Sequence, residues 1–260
     1  MLDLREVKSS LKQAQIPLAV EYYPVLPSTN DQAWKIHKAG TDRDTLIVTD
    51  HQTAGRGRGA HAWQSQAETS LTFSILRRSG LSANLAGLLP IITGIAVVET
   101  LLVFDISAKL KWPNDIYLNG KKVGGILCES TISAQTITTA VIGIGLNVNN
   151  LISDFSPNLR STVTTLRQVA KQKFKREKIL TTSTSILYQY LNQLNTLAPE
   201  IPARWRRYGI FLNSAVTMHT SESDIIGKFM GINERGEALL NIAGKIGAFA
   251  SGEIHEFREI

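Results

Sequence analysis

The chain of 260 residues has 43% apolar and 19% charged residues, a net charge of +6 and one cysteine. This composition supports a sizeable folded core and excludes a low-complexity chain, an internal disulfide framework and a cysteine-based zinc site. No apolar run is an uninterrupted membrane span, because the longest, near residues 88–104, contains Pro90, Gly94 and Glu99. The start, Met1-Leu-Asp-Leu-Arg-Glu6, lacks a secretory pattern and, with the lone thiol, points to the cytoplasm.

Leu2, Leu4, Val7 and Leu11 space a short helix over residues 1–15, too short for a winged-helix DNA-binding domain, and Pro17 stops it. Val20–Val25 reads as a strand. Pro27-Ser-Thr-Asn-Asp-Gln-Ala-Trp34 has N-cap chemistry and opens a helix toward Gly40. Ser28, Thr29 and Asn30 either cap that helix or line a polar pocket. Leu46–Thr49 is the next strand. It leads into Gln52-Thr-Ala-Gly-Arg-Gly-Arg-Gly-Ala-His-Ala-Trp63, where three glycines alternate with two arginines. Glycine lets backbone N–H groups approach a ligand, and arginine supplies a fixed charge and forked donors. Two readings stay open: a cradle that closes on a carboxylate or phosphate, or a surface turn that touches nucleic acid. Trp63 either stacks on a planar ring or simply packs. Leu71–Leu76 returns as a strand.

Residues 83–104 read as a buried helix with Gly94 as a packing contact. Lys109–Trp112 and Ile116–Leu118 are short strands, Asn119-Gly120 is a hairpin turn, and Lys122–Glu129 and residues 136–148 follow as strands. In Lys111-Trp-Pro-Asn-Asp115 a cation, an amide and a carboxylate share one corner. Asp115 suits a base, a lysine orienter or a Mg²⁺ contact, and the alternative is a capped hairpin with Lys111 solvated. Lys122 before Gly124-Gly125 marks either close ligand approach or a bulge with an exposed lysine. Gly143-Ile-Gly-Leu-Asn147 allows close approach, with Asn147 offered to a base edge, or is plain sheet packing. Cys128 reads as a small buried hydrophobe. The histidines have no metal-ligand spacing, and neither a nucleophile elbow nor a Gly-Lys-Ser/Thr phosphate loop is present.

Helical patterns resume at 162–170, 175–195 and 200–208, and the basic stretch 167–178 reads as solvated. From 210, Ala215–His219, Ile225–Ile232, Ala238–Ile242, Lys245–Phe249 and Glu253–Phe257 alternate as short strands. The expected fold is α+β: a mixed β-sheet domain with helices on one face over 1–209 and a small SH3-like β-barrel over 210–260.

Together the motifs resemble the biotin–protein ligases. Ser28-Thr-Asn30, Gln52 with Ala54-Gly-Arg-Gly-Arg58 and Trp63, Lys111–Asp115, Lys122 with Gly125-Ile-Leu127, and Gly145-Leu-Asn147 occur in that family's order and spacing. Gly252-Glu-Ile254 matches more loosely. Related lipoate and octanoate transferases share the fold but typically lack the Lys-Trp-Pro-Asn-Asp element. The resemblance implies an ATP-dependent ligase that forms biotinyl-5′-adenylate and pyrophosphate, then passes biotin to a lysine of a biotin carboxyl carrier domain. Mg²⁺ is implied, and no repressor activity, DNA partner or membrane partner is expected. Monomer and homodimer stay open.

The same resemblance implies that Arg58 and Lys122, assisted by Lys111, offset the meeting negative charges, with Asp115 serving the incoming lysine. Ser28, Thr29, Asn30, Gln52, Arg56, Gly57, Arg58, Lys122 and Gly125 would hold biotin. Arg58, Trp63, Asn114, Lys122 and Asn147 would hold the nucleotide. Glycines 55, 57 and 59 would let the loop act as a lid. Many bacterial relatives carry further basic residues after Arg58, where this chain has Gly59-Ala60-His61. The different-class alternative is a nucleic-acid-binding module built on the positive charge, the Arg-Gly loop and the barrel.

Overall fold

The computed structural model describes residues 1–257. The chain runs α1 (Leu4–Gln13), β1 (Ala19–Leu26), α2 (Thr29–Lys38), β2 (Thr45–Gln52), β3 (Gly55–Arg56), β4 (Ala62–Trp63) and β5 (Ser70–Ser82). Next come α3 (Leu88–Val103), β6 (Lys109–Lys111), β7 (Asp115–Leu118), β8 (Lys121–Ser133), β9 (Thr136–Asn147), α4 (Leu166–Ala170), α5 (Arg176–Leu197) and α6 (Ile201–Arg206). The last segment holds β10 (Ala215–His219), β11 (Asp224–Ile232), β12 (Ala238–Ile242), β13 (Lys245–Phe249) and β14 (Glu253–Glu256).

Seven strands form one mixed sheet in the order β1-β2-β5-β9-β8-β7-β6. Only β1 and β2 pair in parallel, with α2 crossing between them. Period-two alternation sends Leu46, Val48, Phe73, Ile75, Ile142 and Ile144 into a core shared with α3 and α5. α3 is apolar almost all round and correspondingly buried. Gly94 is the packing contact expected of it, since a Cβ there would stand 2.9 Å from Leu110 Cδ2.

The expectation of helices on one face needs a correction. α2 covers the opposite face, where Ala33 packs with Ile47, Leu76 and Val141. The strands are apolar on both faces at those positions, so both need cover.

The C-terminal strands form a five-stranded antiparallel sheet, ordered β13-β12-β11-β10-β14. Its inner residues Val216, Met218, Phe229, Leu240 and Ile254 belong to the same core cluster as the large sheet. Trp205 meets Phe229 edge-on at 5.8 Å between ring centroids, and Trp112 Nε1 donates to the Gly236 carbonyl at 2.9 Å. The barrel is therefore joined to the large sheet by continuous packing.

Two local expectations change. The helix expected over 162–170 begins only at Leu166, capped by Thr165. Residues 162–164 instead run beside Lys122, whose N–H donates to Thr162 O and whose carbonyl accepts from Thr164, both at 2.9 Å. In the basic stretch Lys171, Lys173, Lys175 and Lys178 are exposed as expected, but Arg176 is buried. It donates to Asp50 Oδ1 at 2.8 Å and to Ser70 O at 2.9 Å, fastening the start of α5 to β2 and β5. Among the described residues no helix is long and apolar enough to cross a membrane.

Candidate active site

Directly opposed residues of antiparallel strands share a face. The register therefore places Thr72, Gly145, Gly125, Asp115 and Lys111 in one row across β5, β9, β8, β7 and β6. Ser74, Gly143 and Leu127 form the next row. These rows lie on the α2 side of the sheet. Apolar Leu76 and Val141 give way there to hydroxyls and glycines, and the face opens into a cleft.

Strand alternation alone would send Lys122 and Gly125, three residues apart, to opposite faces. A bulge reverses this. Ile116 pairs with Gly124 and Tyr117 with Lys122, which leaves Val123 as the extra residue. Lys122 thereby turns onto the cleft face, where its Nζ meets Asp115 Oδ1 at 2.5 Å. The bulge expected as an alternative in this strand is present, and it is what turns the lysine inward. Trp63 covers the row: a Cβ on Gly145 would overlap its indole, and one on Gly125 would sit 3.6 Å away.

The N-terminus of α2 forms a polar wall. Ser28 Oγ caps it by accepting from the Asp31 N–H at 3.4 Å. Thr29 donates its N–H and Oγ1 to Gln52 Oε1 at 2.7 and 3.0 Å. Asn30 donates Nδ2 to Leu127 O at 3.2 Å and to Glu129 Oε2 at 2.7 Å, while Ser74 Oγ donates to Asn30 Oδ1 at 2.6 Å. All of Ser28, Thr29, Asn30 and Gln52 line the cleft, so capping and pocket lining occur together. A Cβ on Gly143 would overlap Asn30 Oδ1.

The glycine–arginine loop is a hairpin in which Gly55 pairs with Trp63 and Arg56 with Ala62. Gly57 donates its N–H to His61 O at 2.7 Å, and Gly59 takes the left-handed conformation at φ +57°. Arg56 directs its guanidinium away, to both carboxylate oxygens of Glu129 at 3.0 Å and to Asp31 at 2.8 Å, and its backbone borders the cleft. Burial works against the Glu129 charge, but hydrogen bonds from Arg56 and Asn30 hold that carboxyl below the usual range. Arg58 donates to the Gly252 carbonyl at 3.2 Å and borders the cleft with Gly57.

Asn114 lines the same cleft and donates Nδ2 to Ile126 O at 2.7 Å. Two expected residues stand apart from the lining. Lys111 is buried rather than solvated, with Nζ 5.7 Å from the Tyr117 ring centroid. Burial lowers its pKa, while Asp115 and Glu253 oppose that shift. Asn147 is buried one row beyond Thr72 and Gly145, where Nδ2 donates to Thr164 O at 3.2 Å. Asn147 Oδ1 and Trp63 Nε1 are both buried with no hydrogen-bond partner among the described residues. Cys128 is half-buried rather than buried as expected, packed against the core, and desolvation pushes its thiol up to about 12. Among the described residues no group of three His, Cys, Asp or Glu side chains is arranged to hold a metal ion.

The profile of the Biotin/lipoate A/B protein ligase family matches residues 22–147, the span that supplies every lining residue of this cleft except Glu253. The bifunctional ligase/repressor BirA of Bacillus subtilis is 30% identical over 254 residues, covering 96% of this chain and 77% of that protein. The chain belongs to the biotin–protein ligase family. The biotin–[acetyl-CoA-carboxylase] ligase of Mycobacterium tuberculosis is 27% identical over 238 residues, 89% of this ligase and 86% of that one. The biotin protein ligase from Aquifex aeolicus, solved in complex with biotin and ATP, superposes with a TM-score of 0.76 at 28% identity, covering 91% of this chain and 97% of that one.

Two residues behind this ligase's cleft wall, both bonded to Asn30, had no motif to mark them. Ser74 and Glu129 sit in ordinary strand sequence. Their signal is periodic: Glu129 is four residues after Gly125 and so on the same face, and Ser74 is two after Thr72. Glu253 lines the cleft from the barrel, and only tertiary packing brings it there.

Proposed function

We propose that this ligase joins biotin to ATP as biotinyl-5′-adenylate and transfers biotin to a lysine of a biotin carboxyl carrier domain. The observation that carries the reading is the Thr72-Gly145-Gly125-Asp115-Lys111 row, with the Lys122 ammonium folded onto it and the polar wall of α2 beside it. Such a site has a neutral hydrogen-bonding end, a cationic centre and a glycine floor under an indole. Those features match a ureido ring, a carboxylate meeting an α-phosphate, and a purine.

Carboxylate and triphosphate repel each other, so approach needs fixed positive charge, which Arg58 and Lys122 supply with Lys111 behind them. Ser28, Thr29, Asn30 and Gln52, with backbone of Arg56, Gly57 and Gly125, are assigned to biotin. Trp63, Asn114 and Asn147 are assigned to the nucleotide, and the unpaired Trp63 Nε1 and Asn147 Oδ1 support that assignment. The Lys122–Asp115 pair holds Asp115 in the row beside Gly125, where it orients the incoming amine, which attacks in its neutral form. Mg²⁺ binds nucleotides through phosphates plus one or two carboxylates, so it enters with ATP, and Asp115 is the carboxylate of the row that would meet it. The domain boundary is assigned near residue 210, ahead of β10.

The cleft encloses about 90 Å³, well below the roughly 300–1,000 Å³ of ligand pockets. A second cavity of about 420 Å³ adjoins it at Arg58, Asn114 and Ile126, and closure of the Gly55–Trp63 hairpin keeps water from the mixed anhydride. The test is ATP–pyrophosphate exchange with MgATP and either biotin or lipoate. Exchange is expected with biotin, whereas exchange with lipoate alone would overturn the reading.

A further inference from the structure

The tip of the Gly55–Trp63 hairpin carries two side chains that reach the same place on the barrel. Arg58 donates to the Gly252 carbonyl at 3.2 Å, and His61 Nε2 lies 3.5 Å from Glu253 Oε1. Gly252 has φ +139°, a conformation that presents its carbonyl and strains any other residue. Glu253 also lines the cleft, so the barrel touches the lid and the site at one residue.

We propose that Glu253 and His61 are positioning residues: an ionic latch through which the C-terminal barrel holds the lid over the site, tightened when His61 is protonated. The inference rests on the proposed function for its consequence, retention of the adenylate, but not for the latch itself. It also gives a role to the Gly59-Ala60-His61 departure, because a histidine at the tip supplies a charge that further arginines would make permanent.

Several groups face Glu253. His255 on the same strand approaches its Oε2 at 3.4 Å. His219 of β10 stacks edge-on against His255 at 4.9 Å and is bonded to Asp224 of β11 at 2.6 Å. Lys111 of β6 and Tyr117 of β7 share its electrostatic field. Burial works against the Glu253 charge, but His255, Lys111 and His61 hold the carboxyl below its usual range. Glu253 therefore stays anionic, and the charge in the latch that depends on protonation is the imidazole's. The partners are substantially exposed, at 76% and 46% of their side chains. Exposed pairs of this kind change an equilibrium by up to about five-fold, which suits a lid that opens each turnover.

The experiment reads hydrogen exchange of the 55–63 segment on the free full-length chain at pH 5.5 and 8.0, corrected for intrinsic rates. Wild type is compared with His61→Ala, His61→Lys and Glu253→Gln. Protection in wild type is expected to be about three- to five-fold greater at pH 5.5. His61→Ala should lose that gain, His61→Lys should keep protection at both pH values, and Glu253→Gln should lose it at both. Acceptor-free pyrophosphate release from biotin and MgATP, which reports leakage of the adenylate, should rise by a similar factor in His61→Ala and Glu253→Gln. Identical protection in all four chains overturns the latch. Changed protection without faster leakage overturns its role in retention. Wild type that releases no pyrophosphate with biotin counts against the ligase reading alone, because the exchange experiment needs no substrate.

Discussion

At the residue scale, the site depends on charge and on the absence of a side chain. Lys122 and Arg58 line the cleft and are the cations proposed to offset the substrates' charges; removing one such donor costs about 10²–10³ in rate. Lys122→Ala and Arg58→Ala are each expected to slow adenylate formation by that factor, read by single-turnover pyrophosphate release. Near-normal rates in both would mean the charges act elsewhere. Gly143→Ala would drive a methyl into Asn30 Oδ1; overpacking of this kind costs about 1–3 kcal/mol. It should lower the urea midpoint and raise the KM for biotin more than that for ATP. Glu129 sets a pH signature. Its carboxyl is held below its ordinary value in the fold, so the unfolded chain binds the proton more readily. Its contribution is therefore present above the ordinary carboxylate range and is lost as pH falls through the folded value. Glu129→Gln should flatten the acid limb of a stability–pH curve, and an unchanged limb would contradict the Arg56–Glu129–Asn30 network.

At the element scale, the bulge at Val123 decides the face of Lys122, and the buried Arg176–Asp50 contact decides where α5 begins. Breaking a buried ion pair from one side costs about 3–5 kcal/mol, so Arg176→Ala should lower stability by that order in denaturant unfolding. A loss near zero would show that the pair is solvated. Most elements were legible from sequence, because the Leu46–Thr49, Leu71–Leu76 and 136–148 runs have the strand period and Ser28–Asp31 is a helix start. The bulge was legible only as an alternative, and its inward turn of Lys122 was not, since one inserted residue leaves the apolar pattern of Lys122–Glu129 intact while moving a single side chain. The burial of Arg176 was equally hidden: Asp50, 126 positions away in sequence, is its partner. The face covered by α2 was missed because Ile47, Leu76 and Val141 look like ordinary core residues until the register aligns them.

At the scale of the whole molecule, the motifs converge because one sheet spaces them. Residues 52–63, 111–115, 122–125 and 143–147 are distant in sequence, yet they border one cleft or its adjoining rows. The barrel closes the remaining side and shares a core with the sheet through Trp205 and Phe229. Thermal unfolding should accordingly follow one cooperative transition, with coincident near- and far-ultraviolet circular dichroism; a separate early barrel transition would contradict the continuous core. The central claim is biotin transfer by this cleft. Incubation of the chain with biotin, MgATP and an acceptor carrier domain, followed by an avidin blot, tests it most directly. The account predicts a biotin- and ATP-dependent band on the acceptor that is lost when its target lysine is replaced and falls by about 10²–10³ in initial rate with Lys122→Ala. An acceptor that stays unlabelled by the wild-type chain, or that is labelled equally well by Lys122→Ala, would contradict it.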